Sequence, residues 1–137
     1  RKNVFYIPQK PKLFNRTLYE NIIYGIKKAP SKEQIVDIMK LYEISFNKNL
    51  DEKVGVEGNK LSGGQRQMVW LLRTVLNPAS VLIMDEPTSA LDPSNKKLII
   101  SIIKKISVGK TVIIVSHDSI DGDFRKINFT DGKMNDY

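Results

Sequence analysis

The sequence contains no cysteine. Disulfide staples, thiolate metal sites and cysteine nucleophiles are therefore excluded. A single histidine, His117, also excludes a metal cluster built on several imidazoles. No stretch approaches the roughly 18 apolar residues that a membrane-crossing helix needs, so nothing in these residues is expected to span a bilayer. The opening Arg1-Lys2-Asn3 does not lead from charge into an apolar run and is not read as a leader. The chain also opens without methionine, inside what reads as a strand, so the expectation is a piece of something longer.

What is present suits a globular fold. The 137 residues correspond to one domain or part of one, and 41% hydrophobic against 27% charged residues excludes a wholly disordered chain. The net charge of +7 raises nucleic acid or anionic lipid as partners. The lysines, however, are scattered and not interleaved with aromatics, so the excess reads as a lysine-rich background and no nucleic-acid partner is expected.

Periodicity divides the chain into two kinds of structure. Residues 3–7 read as a strand closed by Pro8, and 9–15 as loop. Thr17 with Glu20 three residues on has the form of a capping box and predicts a short helix ending at Gly25. Ser31 with Gln34 predicts a second helix with Ile35, Ile38, Met39 and Tyr42 on its apolar face. Residues 46–60 are polar, carry Gly55 and Gly58, and read as loop. A helix is expected over 63–76, stopped by Asn77-Pro78. Two apolar runs, 81–84 and 111–115, read as strands buried on both faces, and Pro93 opens a helix between them. The second half is thus expected to be βαβ with parallel strands, giving an α/β fold with a mostly helical first half. Residues 128–130 and Asp131-Gly132 read as a last strand and a tight turn.

Three features carry chemistry. Leu61-Ser62-Gly63-Gly64-Gln65 places two glycines and a hydroxyl at a helix start, which suits a phosphate. The bland alternative is a glycine-containing turn. The apolar run ending in Asp85-Glu86 puts two carboxylates at the C-terminal edge of a parallel sheet, where ligands of α/β folds sit. One could hold Mg²⁺ and the next act on an attacking water; the bland alternative is a solvated acidic turn. His117 ends the other apolar strand, and Gln9 lies just past the first.

The combination, in this order, resembles the nucleotide-binding domain of ATP-binding cassette (ABC) ATPases over nearly the whole chain. The resemblance implies the C-terminal half of a P-loop NTPase core plus the ABC helical subdomain. Residues 1–10 would be a core strand and Q-loop, 11–76 the helical subdomain, and 77–137 the C-terminal core. It implies that Gln9, Glu86 and His117 are catalytic and that Asp85 and Gln9 serve Mg²⁺. Leu61, Ser62, Gly63, Gly64 and Gln65 would be the signature motif, contacting an ATP held by a second cassette. Ala90, Leu91 and Asp92 would be the D-loop at the interface of a head-to-tail pair.

The family's P-loop, G-x-x-x-x-G-K-[ST], is missing. Gly109-Lys110-Thr111 is a decoy: Lys104 stands where the first glycine should be, and the segment leads into a strand. The chain is therefore expected to begin after the P-loop, to expose apolar sheet surface, and to be hydrolytically incompetent alone. Leu13-Phe14-Asn15-Arg16-Thr17-Leu18-Tyr19-Glu20-Asn21-Ile22 resembles the exporter branch, as do Val54-Gly55 and Gly58 before the signature. Glu52 and Lys53 stand where that branch has Thr and Glu, and Ser116-His117-Asp118 is closer to importer usage. The resemblance implies ATP-driven transport, most simply export, with a transmembrane domain as partner and this domain on the cytoplasmic or matrix side of a membrane. The alternatives are a non-transport ABC ATPase acting on DNA, ribosomes or assemblies, and a half-cassette that only lends its signature motif.

Overall fold

The computed structural model describes residues 3–89, 91–117, 120, 124–130 and 133–136. Three strands, β1 (Val4–Ile7), β2 (Val81–Asp85) and β3 (Thr111–Val115), form a parallel sheet in the order β1-β2-β3. Its register is continuous: Val4 pairs with Val81 and Thr111, and Tyr6 with Ile83 and Ile113 through the central strand. Between β1 and β2 run α1 (Leu18–Ile22), α2 (Lys32–Leu41) and α3 (Gly63–Leu76); α4 (Pro93–Ser107) crosses from β2 to β3. A separate antiparallel hairpin pairs β4 (Ile127–Thr130) with β5 (Lys133–Asp136). The expected turn at Asp131-Gly132 lies outside the described residues.

Each helix begins where its cap is written. Thr17, Ser31 and Ser62 sit in extended conformation and close reciprocal capping boxes with Glu20, Gln34 and Gln65. Each box satisfies two backbone donors that a helix start would otherwise leave open. The first helix ends at Ile22, short of the expected Gly25, which instead supplies a left-handed turn at φ 81°. The loop over 46–60 contains one short 3₁₀ turn, Val56–Gly58.

The core lies on one face of the sheet. Ile7, Leu82 and Met84 point to that side and are fully buried with Leu71 and Leu72 of α3 and Ile99, Ile102 and Ile103 of α4. Leu18, Ile22, Ile35 and Val54 extend the same cluster under the helical segment. Each such side chain contributes about 1.5–3 kcal/mol relative to exposure. A buried polar joint ties this segment together. Asn21 Nδ2 donates to the Phe14 and Thr17 carbonyls, and Asn21 accepts from Arg73 Nε at 2.7 Å through its own carbonyl. The Arg73 guanidinium lies 4.7 Å from the Trp70 ring and 5.5 Å from that of Tyr24.

The expectation of two-sided burial fails for β2 and β3. Their exposure alternates, and Val4, Tyr6, Ile113 and Val115 are all about half exposed, from 46% to 54%. Helices cover one face, whereas no described element covers the other. A run of apolar residues thus marks a strand that suits cover on both sides, and here the described elements cover one side only. This agrees with the expected exposure of apolar sheet surface. The chain should therefore self-associate through this face. Sedimentation velocity should show concentration-dependent association, abolished by Ile113→Lys with Val115→Lys; a wild-type chain that stays monomeric at all concentrations would refute it.

Candidate functional site

The glycine-rich helix start is built around Ser62. Its Oγ accepts from the Gln65 N–H at 3.1 Å, and its own N–H donates to Gln65 Oε1 at 3.1 Å. The Arg66 N–H reaches the Ser62 carbonyl. That leaves the Gly63 and Gly64 amides, the first two of the helix, without an intrahelical acceptor. The Ser62 oxygen is spent on the cap as an acceptor, but its hydroxyl proton is available to donate outward. Gln65 is used up locally, its Nε2 bonding Asn47 Oδ1. Leu61 is buried in the core cluster and so anchors the helix end rather than facing a ligand.

The glycines differ in what demands them. Gly55 has φ 82°, and a Cβ there would fall 2.0 Å from Asn59 Oδ1. The fold itself needs that glycine. At Gly63 a Cβ would meet nothing within 4 Å. Packing therefore does not require glycine at position 63.

The carboxylate edge lies at the C-terminal end of β2. Glu86 follows Asp85 in a left-handed turn at φ 47°, a conformation that costs a non-glycine residue on the order of 1–3 kcal/mol. Four hydrogen bonds offset that strain. The Glu86 N–H donates to the Val115 carbonyl at 2.8 Å, and the Glu86 carbonyl accepts from the Ser89 N–H and hydroxyl. Its side chain is buried, and Oε1 accepts from the His117 N–H at 2.9 Å. His117 Nε2 lies 3.6 Å from the same oxygen, while the imidazole is 98% exposed. Glu86 and His117 are thus brought together. Because Ile7 pairs with Met84, Gln9 leaves the end of β1 alongside the segment that carries Glu86. Gln9, Lys10, Gly63, Gln67, Glu86 and Leu91 line a half-open cleft of about 780 Å³.

Among the described residues Asp85 has one side-chain hydrogen bond, accepting at Oδ2 from the Tyr6 hydroxyl at 3.0 Å. That bond, and then desolvation, hold the Tyr6 hydroxyl above the ordinary tyrosine range. Among the described residues no three His, Cys, Asp or Glu side chains converge. One strand-end carboxylate, with Gln9 leaving the neighbouring strand at the same edge, is instead the kind of sparse oxygen donor set that suits Mg²⁺, an ion that keeps several waters. Asp92 caps α4: its carboxylate accepts from the Ser94 hydroxyl and from Asn95 and Ser94 N–H groups, which hold it far below the usual carboxylate range. Leu91 packs beside Gly64, and Ala90 lies outside the described residues.

The sequence pattern that defines the family described as "ABC transporter" matches residues 1–89. This chain belongs to that family. A lipid A-core flippase of Legionella pneumophila, described as ATP-dependent, is 42% identical to this ABC chain over 122 residues, covering 85% of the chain and 21% of the flippase. ABC transporter B family member 13 of Arabidopsis thaliana is 39% identical over the same share of the chain, covering 10% of that protein. A bacterial Atm1-family ABC exporter, solved with ATP bound, superposes with a TM-score of 0.72 at 33% identity, over 85% of the chain and 21% of the exporter. The α/β fold is therefore that of part of an ABC ATPase domain, related to exporters. The chain spans about a fifth or less of the relatives named here.

Two residues of the site were not read from the sequence. Tyr6 shows no motif, and only the sheet register reveals that it shares a face with Asp85. Gln67 lines the cleft and is buried with its Nε2 unpartnered; helical spacing from the glycine pair was the available signal. The contrast between glycines is testable in the chain itself. Gly63→Ala should melt at or above wild type, with a gain of up to about 1 kcal/mol from helix propensity. Gly55→Ala should lower stability by more than that, because of its positive φ and the Asn59 contact. Thermal or urea unfolding measures both.

Proposed function

We propose that this chain supplies the signature helix and the carboxylate edge of an ATPase domain that powers export across a membrane. The observation that carries the reading is Glu86: a buried carboxylate held in a strained turn at a parallel-sheet edge, gripped by the His117 amide beside Gln9 and Asp85. Structural needs alone do not account for a strained acid at that position. The relationship to exporters supports transport over a soluble ABC role. The lack of any long insertion between Gln9 and Leu61 supports it too.

In the working assembly two cassettes face each other. The Ser62 hydroxyl and the Gly63 and Gly64 amides donate to the γ-phosphate of an ATP bound on the other cassette's P-loop. At this chain's own edge, Glu86 accepts a proton from a water as its oxygen attacks the γ-phosphorus. The P–O bond to ADP breaks, and inorganic phosphate leaves. His117 contacts the γ-phosphate, where charge accumulates in the transition state. Asp85 and Gln9 would hold Mg²⁺, which would supply neutralisation of the phosphate charge. The protein's part is positioning and charge stabilisation, which suits phosphoryl transfer. Asp92 and Leu91 lie beside the signature helix and would carry the pairing contact.

The partners on this reading are a second cassette and a transmembrane domain, with this domain on the cytoplasmic or matrix side. No helix among the described residues is long and apolar enough to cross a membrane. Lacking a P-loop, the 137-residue chain alone should not turn over ATP. In the assembled ATPase, Glu86→Gln should lower kcat by about 10²–10⁴-fold, the usual worth of a general base, while bound ATP is retained. Single-turnover assays with nucleotide retention measure both, and unchanged turnover would remove Glu86 from the mechanism.

A further inference from the structure

Tyr6 stands on the bare face of the sheet, about half exposed, with its hydroxyl committed to Asp85 Oδ2 at 3.0 Å. The register explains how they meet. Tyr6 pairs with Ile83, and Asp85 lies two residues further along β2 on the same face. That diagonal separation is about 7–8 Å between backbones, a span an aromatic side chain with a hydroxyl at its tip can bridge. Phenylalanine would fill the same space but could make no such bond, and an aliphatic residue would be too short.

The bond matters because of where Asp85 sits. It is the last residue of β2, and no other side-chain hydrogen bond to it is found among the described residues. Without Tyr6, its carboxylate would be free to rotate at the sheet edge. A hydrogen bond from O–H to a carboxylate is charge-assisted and stronger than a neutral one. It fixes one oxygen and leaves Oδ1 as the oxygen available to a ligand. The rotational freedom is then lost on folding rather than on binding.

We infer that Tyr6 is a positioning residue for the divalent cation, pinning Asp85 Oδ2 so that the carboxylate presents its remaining oxygen in a fixed orientation. The inference rests on the reading of Asp85 as the Mg²⁺ ligand. Hydrogen-bond partners of ligating carboxylates are generally worth 10–100-fold in metal affinity. Tyr6 is half exposed, so the effect belongs at the lower end of that range.

The test compares Tyr6→Phe with Asp85→Asn in the assembled ATPase that contains this chain. Mn²⁺, an EPR-visible stand-in for Mg²⁺, is titrated in the presence of nucleotide. Tyr6→Phe should weaken Mn²⁺ binding roughly 10-fold. The metal concentration for half-maximal turnover should rise in parallel, while kcat at saturating metal changes less than about 2-fold and the melting temperature is unmoved. The phenyl ring preserves the packing, so the fold should survive. Unchanged Mn²⁺ affinity in Tyr6→Phe, with Asp85→Asn abolishing it, would overturn the role of Tyr6 alone. Tighter Mn²⁺ binding in Tyr6→Phe would mean that the hydroxyl competes with the metal, and would overturn it equally. If Asp85→Asn itself leaves Mn²⁺ binding unchanged, the assignment of Asp85 fails first, and the inference falls with it.

Discussion

Parallel pairing of β2 with a strand on each side is the constraint from which the rest of the site follows. Each parallel strand ends at the same edge of a sheet. Once Ile7 pairs with Met84, and Asp85 with Val115, the residues leaving those strands have to meet there. Gln9, the Asp85-Glu86 pair and His117 are far apart in the chain and reach one sheet edge only because the ladder is continuous. The Glu86 N–H extends the ladder by one more bond, to Val115, through a left-handed turn that a glutamate would otherwise avoid. That bond and the one from the His117 amide lock the acid against the end of β3.

The helical segment is held by a different kind of joint. Arg73 is buried, and among the described residues its hydrogen bonds run to Asn21 rather than to an acid. Two aromatic faces and the Asn21 oxygens serve it instead of a carboxylate. Burial lowers its pKa to about 10, which still leaves it charged at neutral pH. Such a guanidinium is tolerable because it is planar and weakly hydrated, and because Trp70 and Tyr24 offer negative ring faces. The same Asn21 gathers the Phe14 and Thr17 carbonyls, so the chain leaving the sheet, α1 and α3 meet at a single polar point. Helix α3 thereby has a fixed position relative to the segment that follows Gln9.

Much of this was legible in the chain. Thr17 and Ser31 each announce a helix start, because a short polar side chain there satisfies amides that the helix cannot, and Pro93 announces α4; the Ser62 and Asp92 caps emerge only in the structure. The apolar runs announced the strands, and the glycine pair with Asp85-Glu86 and His117 announced the family. What differed was the burial of those strands: an apolar run records the environment a strand is suited to, and the described elements cover only one face. Tyr6 escaped notice for a related reason. Nothing local distinguishes a tyrosine that reaches a carboxylate from one that merely packs.

By itself, then, the sequence determined most of the elements, the caps at Thr17 and Ser31, the α/β class and the candidate chemistry, since each depends on neighbours within a few residues; β5 and the 3₁₀ turn were not among them. Tertiary structure alone decided which side of the sheet is bare, that Leu61 anchors rather than contacts, that Gly55 and not Gly63 is demanded by packing, and that Tyr6 holds Asp85. Those facts depend on register and on contacts between residues up to 79 positions apart, and such pairings leave no periodic trace along the chain.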